Sequence, residues 1–195
     1  MTEQKELKVE EIKKAAEERK CPVQRSLFYI EGFLEGPMCG RCFPCALGSY
    51  EAKVRLKKVI QGRGGEFDLR VIRRISEDML VSSRCKKGKD TATFLLEWLN
   101  TDVFDKHVEG SCPDMECKAL IEYRIIPEKC TMCGLCQEAC RYAAIHGQKR
   151  KPFASGYFPF EIRQKRCVKC GECLPVCPEG AIEIVEKKAT VPVGA

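Results

Sequence analysis

Two cysteine runs constrain this chain more than any other feature. Cys130, Cys133, Cys136 and Cys140 stand in the spacing C-x2-C-x2-C-x3-C, and Cys167, Cys170, Cys173 and Cys177 repeat it, the second run followed by Pro178. Three thiolates this close together cap three irons of one cubane, and the fourth cysteine of each run crosses to the other cluster. One 4Fe–4S cluster is therefore expected on Cys130, Cys133, Cys136 and Cys177, and a second on Cys167, Cys170, Cys173 and Cys140. Gly134 and Gly171 supply the tight backbone such a cradle requires. A pair of zinc knuckles would have no use for the crossed fourth ligand.

The chain holds 15 cysteines in 195 residues. A disulfide framework would require an oxidising compartment. The charged stretch "MTEQKELKVEEIKKAAEERK" has no apolar signal region, so a cytoplasmic location is expected. No run approaches the length of a membrane span. Hydrophobic residues make up 44% and charged residues 32% of the chain, enough for a core and too ordered a texture for disorder. The formal charge of +6 suggests nucleic acid. Thiolate-bound clusters of about −2 each would cancel it, and bound ions belong in the balance. Nucleic acid is accordingly not expected as a partner.

The double run resembles the two-cluster bacterial ferredoxin, and from Lys118 onward the texture fits it. Short strand-like pieces stand at "ALIEYRIIPEKC", "RQKRC" and "AIEIVEK". Arg141 follows Cys140 where that pattern prefers proline. A gap of 26 residues separates the runs. Within it "GQKRKPFASGYFPFEIRQ" reads as an inserted hairpin exposing Phe153, Tyr157, Phe158 and Phe160, either a lid over a cluster or a docking surface.

Upstream the chain is helical. Met1–Lys20 is a polar extension rich in helix formers and i,i+4 charge pairs, ended by Cys21-Pro22. Leu27–Glu35 reads as an apolar connector. Helices are expected over Cys45–Ile60, Glu66–Val81 and Asp90 to about His107, with Asp90 as a plausible N-cap. The stripe of Phe94, Leu95, Trp98, Leu99 and Val103 reads as core. The expected class is α+β, divided into a charged extension (1–20), a helical iron–sulfur module (21–106), a zinc-binding junction (107–123) and a two-cluster ferredoxin domain (124–195).

"GPMCGRCFPCALG" carries Cys39, Cys42 and Cys45, and Cys85 lies 40 residues beyond the last of them, within reach once two helices fold back. This C-G-x-C-x-P-C pattern resembles the C-terminal iron–sulfur region of the NADH-binding flavoprotein subunit of respiratory complex I. NAD-reducing and electron-bifurcating hydrogenases have the same module followed by a two-cluster ferredoxin domain. The resemblance covers roughly four fifths of the chain and implies a 4Fe–4S cluster on Cys39, Cys42, Cys45 and Cys85. Only 38 residues precede Cys39, too few for the FMN- and NADH-binding domain of those subunits. "GRGG" lies between helices and is no dinucleotide fingerprint. The family's Glu-Ser before the first Cys-Gly, and its Arg after the third cysteine, are replaced by Pro37-Met38 and Ala46.

Three cysteines remain. His107, Cys112 and Cys117 form H-x4-C-x4-C, and with Cys21 they make the Cys3His set of a closed structural zinc site. The resemblance implies the same, because the bifurcating hydrogenase subunits bind zinc at this junction. Buried unligated thiols, or a fourth iron–sulfur cluster, are the alternatives. His146 reads as incidental.

Neither a radical-SAM triplet nor a Ser/His/Asp set is present, so no catalytic residue is expected. The resemblance implies a subunit of a multi-subunit cytoplasmic oxidoreductase in an anaerobe, possibly electron-bifurcating. It would relay single electrons through three 4Fe–4S clusters between an NAD(P)H-handling flavoprotein and either ferredoxin or a catalytic subunit, with the zinc junction as a hinge. The rival is a free-standing multi-cluster ferredoxin.

Overall fold

The computed structural model describes residues 8–151 and 159–187. They form two compact units, one of the residues up to Leu120 and one of Ile121–Lys187. The class is α+β, as expected.

The first unit is all helical: α1 (Val9–Glu17), α2 (Pro22–Glu35), α3 (Phe43–Ile60), α4 (Glu66–Ser82), α5 (Lys86–Leu99) and α6 (Val103–Val108). Helix α3 begins with proline in its first turn, where the missing N–H costs nothing. It buries Cys45, Ser49, Ala52, Leu56 and Val59, one stripe at helical spacing. That stripe meets Leu69 and Ile72 of α4, Leu95 and Leu99 of α5 and Ile30 of α2 in the main core. The start of α4 is fixed by Asp68, which accepts the Gly65 N–H at 3.0 Å and pairs with Arg55 at 2.6 Å.

Several sequence expectations are corrected by the structure. The connector Leu27–Glu35 lies within α2. Its Gly32 is a contact surface, not a break: a Cβ there would stand 2.9 Å from Cγ2 of Ile12. Helix α1 therefore docks on α2. It buries Val9, Ile12 and Ala16 in one cluster with Tyr29 and Phe94, whose rings stack at 4.2 Å. The helix expected from Asp90 begins at Lys86 with Cys85 as N-cap, which leaves Asp90 inside it, and it breaks before α6. Trp98 is a half-buried margin residue of the core, its ring covered by the Arg25 guanidinium at 4.9 Å.

The second unit contains β1 (Ile121–Ile125), a 3-10 turn at Pro127–Lys129, α7 (Leu135–Ala139), β2 (Ile145–His146), β3 (Glu161–Ile162) and β4 (Ile182–Glu186). β1 pairs antiparallel with β4, and β2 with β3. The register repeats at the spacing of the cysteine runs, Ile125 opposite Ile182 and Ile162 opposite Ile145. "RQKRC", expected as strand, is largely a turn after β3. In the inserted segment Phe153, Tyr157 and Phe158 lie outside the described residues. Phe160 is buried rather than exposed, at 3%.

Candidate metal centres

The second unit presents two equivalent cradles. Met132 and Lys169, the residues before the second cysteines, share the left-handed conformation at φ 58° and 57°. Gly134 and Gly171, the residues after them, share φ 83° and 86°. The crossing ligands match as well, since the Ala144 N–H donates to Cys140 Sγ at 3.4 Å and the Ala181 N–H to Cys177 Sγ at 3.2 Å. One cavity of about 320 Å³ is walled by Cys130, Cys133, Cys136 and Cys177, with Phe160 beside them. Another of about 340 Å³ is walled by Cys167, Cys170, Cys173 and Cys140, with Tyr123. The crossed quartets expected from the spacing are thus brought together.

The electrostatics ask for a cationic occupant. Burial, then the charges of Cys130, Cys133 and Cys177, push the Cys136 thiol up. Burial is also the main cause lifting Cys173 to about 11, with Cys167, Cys170 and Cys136 adding to it. Packed thiolates penalise one another unless an iron core takes their charge. Cys136 and Cys173 belong to different quartets, yet Cys136 is among the charges acting on Cys173. The two cavities approach each other there. Arg141, in the place of the expected proline, reaches Glu172 at 3.5 Å across the exposed rim of the loops.

In the first unit, Cys42 is the N-cap of α3 and Cys85 the N-cap of α5. Two helix N-termini, with their free N–H groups and positive dipole ends, thereby flank the Cys39, Cys42, Cys45 and Cys85 group, an arrangement suited to an anionic cluster. Burial, then the charges of Cys85, Cys42 and Cys39, raise Cys45 to about 11. The fit of a cluster is supported by an orphaned polar atom. Ser83 is buried and its Oγ has no hydrogen-bond partner. It adjoins Gly88, where a Cβ would meet Ser83 Oγ at 2.6 Å and Cys45 Sγ at 3.4 Å. A cluster sulfur held by these cysteines would supply the acceptor this hydroxyl lacks. Sequence reasoning passed over both residues, because "SSRCKKGK" reads as a loop.

The last group is smaller and fully enclosed. Cys21, His107, Cys112 and Cys117 place their ligand atoms within 4.8 Å of one another, each side chain buried in the main core. Cys21 Sγ lies 3.7 Å from Cys117 Sγ, and the two sulfurs lie 3.2 and 3.3 Å from His107 Nε2. Tetrahedral zinc requires about 3.8 Å between sulfurs and about 3.6 Å from sulfur to nitrogen. The Cys21, Cys117 and His107 atoms are within about half an ångström of that, and with all four ligand atoms inside 4.8 Å the cage is too tight for a cubane. His107 donates Nδ1–H to the Val103 carbonyl at 2.7 Å, one turn back on α6, which leaves Nε2 free to ligate. The Gln24 amide approaches Cys117 Sγ at 3.6 Å, and the Cys117 N–H donates to Cys112 Sγ at 3.5 Å. Protons alone serve this cage badly. Burial works against a charged His107, but hydrogen bonds with Cys112 and Cys21 override it and raise the imidazole to about 10. Hydrogen bonding with Cys117 draws the Cys112 thiol far down, while hydrogen bonding with Cys112 drives that of Cys117 far up. A dication binds the thiolates and neutral imidazole without this competition. His146 is in none of these groups, and its Nε2 is buried without a partner among the described residues.

Comparison with known proteins agrees with this layout. Residues 26–110 match the NADH-ubiquinone oxidoreductase-F iron-sulfur binding region, and residues 129–181 match a 4Fe-4S dicluster domain. The NADP-reducing hydrogenase subunit HndC of Solidesulfovibrio fructosivorans is 32% identical over 139 residues, which cover 70% of this chain and 28% of that protein. The chain thus spans little more than a quarter of the relative's length. None of the helices among the described residues is long and apolar enough to cross a membrane.

Proposed function

We infer, from its place among the iron–sulfur electron-transfer proteins that join a NADH-ubiquinone oxidoreductase-F iron-sulfur binding region to a 4Fe-4S dicluster domain, that this chain is an electron-relay subunit of a larger oxidoreductase. It carries three 4Fe–4S clusters and one zinc ion. The clusters sit on Cys39, Cys42, Cys45 and Cys85, on Cys130, Cys133, Cys136 and Cys177, and on Cys167, Cys170, Cys173 and Cys140. A flavoprotein that handles NAD(P)H stands at one end of the relay, and a ferredoxin or a catalytic subunit at the other. Whether the assembly bifurcates electrons depends on that flavoprotein. The likeness to a subunit of an NADP-reducing hydrogenase favours this setting.

The observation that carries the reading is the sorting of the fifteen cysteines into three spread quartets and one tight Cys3His cage. Each quartet suits a redox cubane. The cage suits a d10 ion that holds α6 and the Cys112–Cys117 loop against Cys21 while taking no electrons. The zinc segment lies just before the chain enters β1, which supports the further reading of a hinge in the sequence between two cluster-bearing modules. The test is purification of the native protein from its source without oxygen. Co-elution with a flavin-bearing partner is expected. A species of the chain's own mass, 22.1 kDa, would replace the subunit reading with a free carrier.

A further inference from the structure

The group on α3 and α5 opens at the surface. Cys39 and Cys85 are exposed and Cys42 is half-buried. Beside them runs an open apolar groove of about 520 Å³ between the first half of α3 and the last turns of α4. Phe43 and Leu47 form one wall and Val81 the other, at 75%, 53% and 87% exposure. Phe43 follows Cys42 directly, and Val81 stands four residues before Cys85, so each wall carries a residue close in sequence to one of the cysteines. A contiguous apolar patch on a soluble surface marks an interaction site more often than chance does.

The charge around the exposed cysteines is mainly positive. Arg41 lies between Cys39 and Cys42. Arg84, Lys86, Lys87 and Lys89 surround Cys85, and all five cations are exposed. Asp78 is the one carboxylate lining the groove. Compensation of an anionic cluster accounts for cations, but not for the apolar floor alongside them. A polar rim around an apolar centre, next to an exposed redox group, is the anatomy of a transient protein interface.

We propose that this face docks a separate electron-carrying protein whose contact surface is acidic at the rim and apolar at the centre. The proposal rests on the reading of Cys39, Cys42, Cys45 and Cys85 as cluster ligands. The step is one outer-sphere electron: the reduced carrier is oxidised and the cluster is reduced by one charge, with no bond made or broken. The cations draw the carrier in and the groove holds it in register.

The experiment uses the full chain with its metals, free of oxygen. The probe is a small acidic ferredoxin in its reduced form, mixed by stopped flow, and its binding is read separately by calorimetry. A basic carrier of comparably low potential, also in its reduced form, serves as the opposite-charge control. The wild-type rate is expected to fall with rising salt. Lys86→Glu/Lys87→Glu lowers the rate on the order of tenfold at low salt and flattens its salt dependence. Leu47→Ser/Val81→Ser weakens binding while keeping the salt slope. Iron content and the reduced-state EPR spectrum stay unchanged in both variants, which separates lost docking from lost assembly. Wild-type rates and binding in both variants overturn the proposal, as does faster reaction with the basic low-potential carrier. A dimer of this chain that Leu47→Ser/Val81→Ser dissolves assigns the face to a second copy and overturns it as well. Failure of the cluster reading is distinct, because it shows as about eight irons per chain whatever the binding result.

Discussion

On the proposed division of the cysteines, replacing Cys21 by serine is expected to separate structure from electron transfer. Cys21 Sγ stands 3.2 Å from His107 Nε2 and 3.7 Å from Cys117 Sγ, inside the main core. It is the ligand furthest away in sequence, and through it the start of α2 is tied to the segment after α6. Structural zinc contributes about 10–16 kcal/mol to small metal-dependent folds, so one ligand of four is worth about 2.5–4 kcal/mol. That corresponds to a loss of zinc affinity of roughly 10²- to 10³-fold. The remaining His107, Cys112 and Cys117 would be left buried and competing for protons, so the loop from Gly110 to Leu120 is expected to loosen. The assay is elemental zinc and iron on the same anaerobic sample, with zinc release followed against a chromophoric chelator. Cys21→Ser should release zinc to a chelator that leaves the wild type intact, with iron unchanged. Zinc retained at wild-type affinity would refute the assignment of Cys21. Iron lost together with zinc would refute the separation of the cage from the clusters.

Other expected outcomes concern single side chains. Ser83→Ala removes the orphaned hydroxyl beside Cys45 and should lower one of the three proposed cluster potentials by about 20–60 mV, since hydrogen bonds to sulfur stabilise the reduced state; potentials that all stay unchanged in an EPR-monitored titration would refute the contact. Leu56→Ala, at a fully buried site, should cost about 2–5 kcal/mol of stability in denaturant unfolding, while Val81→Ala, 87% exposed, should stay within about 0.5 kcal/mol. Asp68→Ala removes the cap on Gly65 and the partner of Arg55, and is expected to cost about 1–2 kcal/mol, with Asp68→Asn losing less.

What could be read from the sequence, and what could not, follows a physical divide. Cluster quartets in the second unit are legible because the covalent spacing of C-x2-C-x2-C itself limits where three sulfurs can go. The cage was legible by ligand chemistry once Cys21 was paired with the only histidine near Cys112 and Cys117. Two of the misread stretches share one cause. Gly32, in the stretch read as a connector, and Gly88, before the expected helix start at Asp90, both lie inside helices, α2 and α5, where a neighbouring side chain occupies the space a Cβ would take. For Gly32 that neighbour is Ile12, and for Gly88 it is Ser83. A single sequence does not separate a glycine chosen for its torsion from one chosen for close approach. The burial of Val9, Ile12 and Ala16 was hidden for the same reason, since the surface that receives them is made by that glycine together with Tyr29 and Phe94. Phe160 was misjudged because it lies in an insertion. Its role follows from the repeat, in which it occupies the position that Tyr123 holds at the other cavity.

The central claim is that fifteen cysteines and one histidine divide into three redox cubanes and one inert ion. Metal analysis of the anaerobically purified full chain, with Mössbauer spectra on the same sample, tests it most directly. The account predicts about twelve irons, all in 4Fe–4S form, and one zinc per chain. About eight irons would remove the cluster on Cys39, Cys42, Cys45 and Cys85, and iron in place of zinc at the Cys21 cage would contradict the division itself.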